Sequence, residues 1–141
     1  MAELFVDTSG FYAVADASDR HHEAASSVFV ERGSLGDLVT TDHVFVETWL
    51  LLRGRLGRNA AVRYWDSMMA GAVKVYGVLS RDVVRAREIL GEWPDQELSL
   101  VDCTSFALME RAGIDQALAC DRHFRIYRYG EHRKRSFEIV P

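Results

Sequence analysis

Four carboxylates stand among residues that do not suit a charge. Asp102 lies inside the apolar run LSLVDCTSFALM and Glu47 inside HVFVETWLLL, while Asp7 directly follows LFV and Asp121 directly follows ALAC. One reading of them is local. Ser99 and Asp102 have capping-box spacing, although Glu or Gln is the usual partner, and an acid in a first helical turn gains roughly 0.3–1 kcal/mol from the helix dipole. Asp7 would then cap the helix after it, and Asp121 a turn. Glu47 gains nothing this way, because a helix-interior acid flanked by Phe45, Val46, Trp49 and Leu50 has no terminus to cap. The other reading is collective. Two like charges about 4 Å apart repel by roughly 4 kcal/mol at an effective dielectric near 20, and no Lys or Arg adjoins Asp7, Glu47 or Asp102 in the sequence to offset that. A divalent cation would. Oxygen-only ligands suit the hard ions Mg2+ and Mn2+, which bind substrate phosphates, so the set points to metal-assisted phosphoryl chemistry.

The elements that must position these acids can be read from period and punctuation. Leu4 to Val6 is a short buried strand, and Asp7-Thr8-Ser9 starts a helix through Phe11, Ala13 and Val14. A second helix covers His21 to Glu31 and stops at Gly33. Leu38 to Thr41 is a strand, Asp42 an N-cap, and His43 to Arg55 a helix with Val44, Trp49 and Leu51 on its apolar face. Ala60 to Met69 is helical, Val73 to Tyr76 alternates as a strand, Ser80 to Gly91 is a helix, and Trp93-Pro94 breaks the chain. Leu100 to Ala112 is a helix closed by Gly113. Ala117 to Cys120 and Phe137 to Val140 are the last strands. Strands alternating with helices predict an α/β fold, a mainly parallel sheet with helices on both faces. In such a sheet the ligand crevice lies beyond the carboxyl ends of the strands, where Asp7 and Asp121 both fall.

The chain has 141 residues, 48% hydrophobic and 27% charged, which suits one soluble domain spanning 1–141. No run approaches the roughly 18 apolar residues that span a bilayer, and the start MAELFVDTSG is not a secretory signal, so a cytoplasmic location is expected. Cys103 and Cys120, the two cysteines, read as free buried thiols. The net charge of −4 argues against a protein that grips nucleic acid over its whole surface. The charge is segregated, however: residues 122–135 hold six basic side chains (Arg122, Arg125, Arg128, Arg133, Lys134, Arg135) against one acid, Glu131.

The stretches FVDTSGFYA, TTDHVFVETWLLL, LSLVDCTSFALMERAGI and ALACDRHF resemble, in order and spacing, the acidic motifs of PIN-domain ribonucleases, and most of all the toxin component of VapBC-type toxin-antitoxin modules. The resemblance covers essentially the full chain. It implies a PIN-like three-layer fold in which Asp7, Glu47, Asp102 and Asp121 bind one or two Mg2+ or Mn2+ ions, with Ser9 supporting a carboxylate. It also implies an RNA substrate, a cognate antitoxin covering the acidic groove, and a homodimer. One departure is visible: the family's last motif often has Thr two residues before its Asp, where this chain has Ala119, so polar help there would fall to Thr104 or Ser105.

The activity expected from this is endonucleolytic hydrolysis of RNA, with Asp7, Asp102 and Asp121 as direct ligands and Glu47 serving a second ion or orienting the attacking water. No catalytic His is required, which leaves His123 as a substrate or packing residue. The basic stretch would hold the RNA backbone and Tyr127 and Tyr129 stack unpaired bases, against the alternative of a solvated face. Cys120-x-x-His123 lacks a second ligand pair for zinc, His21 and His22 need no special role, and Trp49, Trp65 and Trp93 read as core or dimer contacts. Two rivals stand beside the nuclease: a non-catalytic PIN-fold module that binds RNA or protein, and a receiver-like signalling domain, for which Asp121-Arg122 supplies no convincing late Lys.

Overall fold

The computed structural model describes residues 2–141. Five short strands, β1 (Leu4–Val6), β2 (Leu38–Thr41), β3 (Lys74–Tyr76), β4 (Gln116–Leu118) and β5 (Glu138–Val140), form one sheet in the order β3-β2-β1-β4-β5. Every pairing is parallel. Parallel neighbours need crossovers, and the helices supply them: α1 (Thr8–Ala15), α2 (His22–Ser34), α3 (Asp42–Leu56), α4 (Arg58–Met69), α5 (Ser80–Glu92), α6 (Leu100–Ala112) and the short α7 (Arg122–Ile126). Helices α1 to α4 pack among themselves and α5 pairs with α6, so the sheet is flanked by two groups of helices. This is the predicted α/β architecture, with the sheet parallel throughout.

Central strands buried on both sides should read as continuous apolar runs, and Leu4, Phe5 and Val6 are fully buried. In the register of β1 with β4, Val6 faces Leu118, and the Asp7 amide donates to the Leu118 carbonyl at 3.1 Å. The two chain segments that carry Asp7 and Asp121 therefore leave the sheet side by side. Since β2 lies on one side of β1 and β4 on the other, this is where the strand order switches and where parallel sheets open a crevice. Gly10 makes the close approach possible. A Cβ there would stand 2.5 Å from the Leu118 carbonyl oxygen, so α1 can lie over the end of β4 only without a side chain.

Several boundaries differ from expectation. Thr41, not Asp42, is the N-cap of α3: its Oγ1 accepts from Val44 N at 3.0 Å, while Asp42 Oδ1 accepts from Val78 N at 3.1 Å and ties α3 to the segment after β3. Helix α2 passes through Gly33 to Ser34, because the left-handed turn comes at Gly36 (φ 74°). Strand β4 ends at Leu118, two residues early, since Cys120 N is turned toward Ser9 rather than along the sheet. The buried face of α3 is Val44, Thr48 and Leu52; Trp49 and Leu51 lie off it, half-buried, with Trp49 packed against Trp65. Cys103 is buried as expected, Cys120 only half-buried, and both are free.

Candidate active site

Each of the four acids is placed by a local device. Asp7 is the N-cap of α1, with Oδ2 accepting from Ser9 N at 3.1 Å and Ser9 Oγ at 2.7 Å. Asp121 is the N-cap of α7, with Oδ1 accepting from His123 N at 2.8 Å. Asp102 and Ser99 form the reciprocal capping box that their spacing suggests: Asp102 N donates to Ser99 Oγ at 3.0 Å, and Ser99 N to Asp102 Oδ2 at 3.1 Å. Glu47, in the body of α3, is held by a relay in which Thr48 Oγ1 donates to Thr8 Oγ1 at 3.2 Å and Thr8 Oγ1 donates to Glu47 Oε1 at 2.6 Å. The local reading of Asp7, Asp102 and Asp121 as capping residues thus holds, and the same caps and relay fix the side chains that meet in one place.

All four line one cavity of about 600 Å³. In each, one oxygen is held by the donors just named. The other oxygen, Oδ1 of Asp7 and Asp102, Oδ2 of Asp121, Oε2 of Glu47, has no hydrogen-bond partner among the described residues.

The electrostatics follow from the crowding. Burial pushes Asp7, 4% exposed, up to about 7; the Ser9 hydroxyl and amide oppose this, and the neighbouring charges of Asp102 and Glu47 add to it. Burial likewise raises Glu47, against the pull of Thr8 and with help from Asp102 and Asp121. Asp102 is raised by burial and by Asp121, while Ser99 N–H and His123 hold it down. Three carboxylates that resist ionisation in this way, lining one cavity with Asp121, fit a divalent cation. Ligand atoms of Asp102, Asp121 and His123 lie within 4.8 Å of one another.

Not every expectation about the surroundings holds. The polar support missing at Ala119 comes from Ser9, whose Oγ accepts from Cys120 N at 2.9 Å and Asp121 N at 3.2 Å; Thr104 is occupied with the Val101 carbonyl and His43, and Ser105 Oγ is buried without a partner among the described residues. His123 is no bystander, since its Nδ1 lies 2.9 Å from Asp102 Oδ2. Tyr127 and Tyr129 cannot stack on bases: they are 1% and 7% exposed and stack on Phe106 and Phe137 instead. Part of the basic stretch is also committed elsewhere. Arg128 donates to three backbone carbonyls, Arg133 lies over Trp93, and Arg135 lies over Tyr129. The cations that do reach the site come partly from other segments: Arg20 and Arg55 line the acidic cavity, and Arg20 also lines an adjoining cavity with Arg122 and Arg125. Thr8 and Thr48, each next to a motif acid, carried a readable signal as polar residues in apolar helices. Arg20 and Arg55 carried none.

Comparison with known proteins agrees with this geometry. The family model described as "PIN domain" matches residues 4–129. The chain is 36% identical over 121 residues to the 23S rRNA-specific endonuclease VapC20 of Mycobacterium tuberculosis, covering 86% of this chain and 91% of that protein. It is 26% identical over 140 residues to Ribonuclease VapC26 of the same organism, covering 98% and 100%. The crystal structure of VapC20, described as a sarcin-ricin loop cleaving toxin, superposes with a TM-score of 0.78 over 84% of this chain and 90% of that one. A DNA-bound VapBC from Salmonella typhimurium shares the fold at 11% identity, with a TM-score of 0.65 and coverage of 99% and 97%. With four acids gathered at the sheet's switch point and a family match over nearly its whole length, the chain belongs to the PIN-domain family and, within it, to the VapC-type ribonucleases.

Proposed function

We propose that this protein is a divalent-metal-dependent endoribonuclease, the toxin of a toxin-antitoxin pair, in which Asp7, Glu47, Asp102 and Asp121 hold Mg2+ or Mn2+. The observation that carries this reading is the half-engaged state of all four carboxylates, each held through one oxygen with the other unpartnered among the described residues, and all four lining a single cavity. When bound, the cation supplies activation of water near neutral pH and a counter-charge for the phosphate. Asp7, Asp102 and Asp121 are the direct ligands. Glu47, fixed by Thr8, offers Oε2 either to a second ion or to the attacking water. Ser9 holds Asp7 and, through two amides, the segment leading to Asp121.

RNA must approach this acidic cavity despite its own charge, and Arg20, Arg55, Arg122 and Arg125 at and beside it offset that repulsion. The substrate is cellular RNA; among the described residues no helix is long and apolar enough to cross a membrane. The relative VapC20 makes a sarcin-ricin hairpin the first substrate to offer. A protein partner is supported by the exposed apolar face of α3 and α4, where Val46, Leu50 and Trp65 are 60%, 61% and 48% exposed. A second copy and the antitoxin are its two expected occupants.

The test is cleavage of that hairpin by purified protein with Mg2+, with Mn2+ and with EDTA. Activity that needs the metal and is lost in Asp7→Asn is the expected outcome. Metal-independent cleavage, or full activity in Asp7→Asn, overturns the reading.

A further inference from the structure

We propose that His123 is a positioning residue of the acidic cluster: its Nδ1–H fixes Asp102 so that one carboxylate oxygen is left to face the cation. The inference rests on the metal-dependent reading above. Asp102 Oδ2 receives two donors from different segments, Ser99 N–H at 3.1 Å from its own helix and His123 Nδ1 at 2.9 Å from α7. A carboxylate offers only acceptors, so the ring proton facing it sits on Nδ1; the opposite nitrogen, Nε2, is buried and has no partner among the described residues. A single donor lets a carboxylate turn about its last torsion. Two donors on one oxygen from separate elements fix its plane and make its two oxygens inequivalent.

The same nitrogen stands 3.4 Å from Asp121 Oδ1, so the N–H lies between two carboxylates that would otherwise repel. Packing sets this placement. Phe124, fully buried, meets the Phe106 ring edge-on at 4.8 Å, and Phe106 lies one turn beyond Asp102 on α6. Helix α7 is thereby docked on α6 at adjacent points, Phe124 on Phe106 and His123 on Asp102. Partners that orient a metal-binding side chain in this way typically change metal affinity or activity by about 10–100-fold when removed.

The two isosteric amides separate the ring nitrogens: Asn places its amide nitrogen near Nδ1, Gln near Nε2. Mn2+ affinity, measured by calorimetry on the intact chain, is expected to fall about 10–100-fold in His123→Ala and His123→Gln and to be largely restored in His123→Asn. Cleavage by His123→Ala should recover as Mn2+ is raised to saturation. Electron spin-echo spectra of bound Mn2+ should show no nitrogen coupling from a ring. Wild-type Mn2+ affinity in His123→Ala, an Asn variant as weak as Ala, or a ring-nitrogen coupling to Mn2+ would each overturn the proposal. Asp102→Asn separates the two levels: if it too leaves Mn2+ bound, the metal reading itself fails, whereas if it alone abolishes binding, only the role of His123 does.

Discussion

Glu47 depends on a neighbouring hydroxyl to hold it. Thr8 Oγ1 gives its carboxylate the one side-chain hydrogen bond it has among the described residues, and Thr48 completes the relay from inside α3. In Thr8→Val the shape is nearly kept and the donor lost, so RNA cleavage should fall by about tenfold or more, while Thr8→Ser retains activity; steady-state cleavage rates with melting curves as a folding control decide this. Away from the site, Asp82 shows the opposite electrostatic balance. Burial disfavours its charge, but Arg111 at 2.7 and 2.9 Å and the Leu79 amide outweigh that and hold its carboxyl below the ordinary range. A folded-state value below the unfolded one stabilises the protein above about pH 4, and this stabilisation is lost as pH falls through the folded value. Asp82→Asn should therefore lower stability at pH 7 by about 1–3 kcal/mol, with Arg111 partly exposed, and flatten the acid limb of denaturation curves taken between pH 7 and 3. The individual acids were legible because each interrupts an apolar run. Their donors were less so, because hydrogen bonds such as Thr8 to Glu47 join residues far apart in the chain.

Helix α1 reaches the site only because Gly10 lets it lie on β4. Gly10→Ala would bring a methyl to 2.5 Å from the Leu118 carbonyl, so a loss of about 1–3 kcal/mol, read by chemical denaturation, is expected in spite of the better helix propensity of Ala. Helix α7, five residues long, divides the basic stretch by function. Arg122 and Arg125 line the cavity that Arg20 joins, Arg125 also donating to the Pro141 carbonyl at 3.3 Å, whereas Arg128, Arg133 and Arg135 only brace the backbone and aromatic rings. Joint removal of Arg20 and Arg122 should make log K for RNA fall less steeply with log salt, by about 0.7 per lost phosphate contact, while Arg135→Ala leaves the slope unchanged; filter binding across a salt series measures it. The type and order of the elements were readable apart from α7, since strand runs and helical periods are local, whereas a five-residue helix inside a charged stretch is too short to show a period. Their ends were not, as caps depend on which side chain reaches a free amide: Thr41 rather than Asp42 does so for α3.

At the scale of the whole molecule, folding gathers four acids against their mutual repulsion, and a cation that binds only the folded chain must stabilise it. Mn2+ at a hundredfold excess over its dissociation constant should add about 2.7 kcal/mol, seen as a rise in melting temperature that Asp102→Asn abolishes. The sequence by itself determined the α/β class, the parallel sheet and the identity of the four acids, because hydrophobic period, turn residues and motif order are properties of short segments. Tertiary structure alone decided which carboxylate oxygens are held and which have no partner among the described residues, why His123 belongs to the cluster, why Tyr127 and Tyr129 are core, and which arginines line the site. Those outcomes follow from the packing of α7 on α6 and of α1 on β4, contacts between segments that the chain keeps far apart until the sheet brings them together.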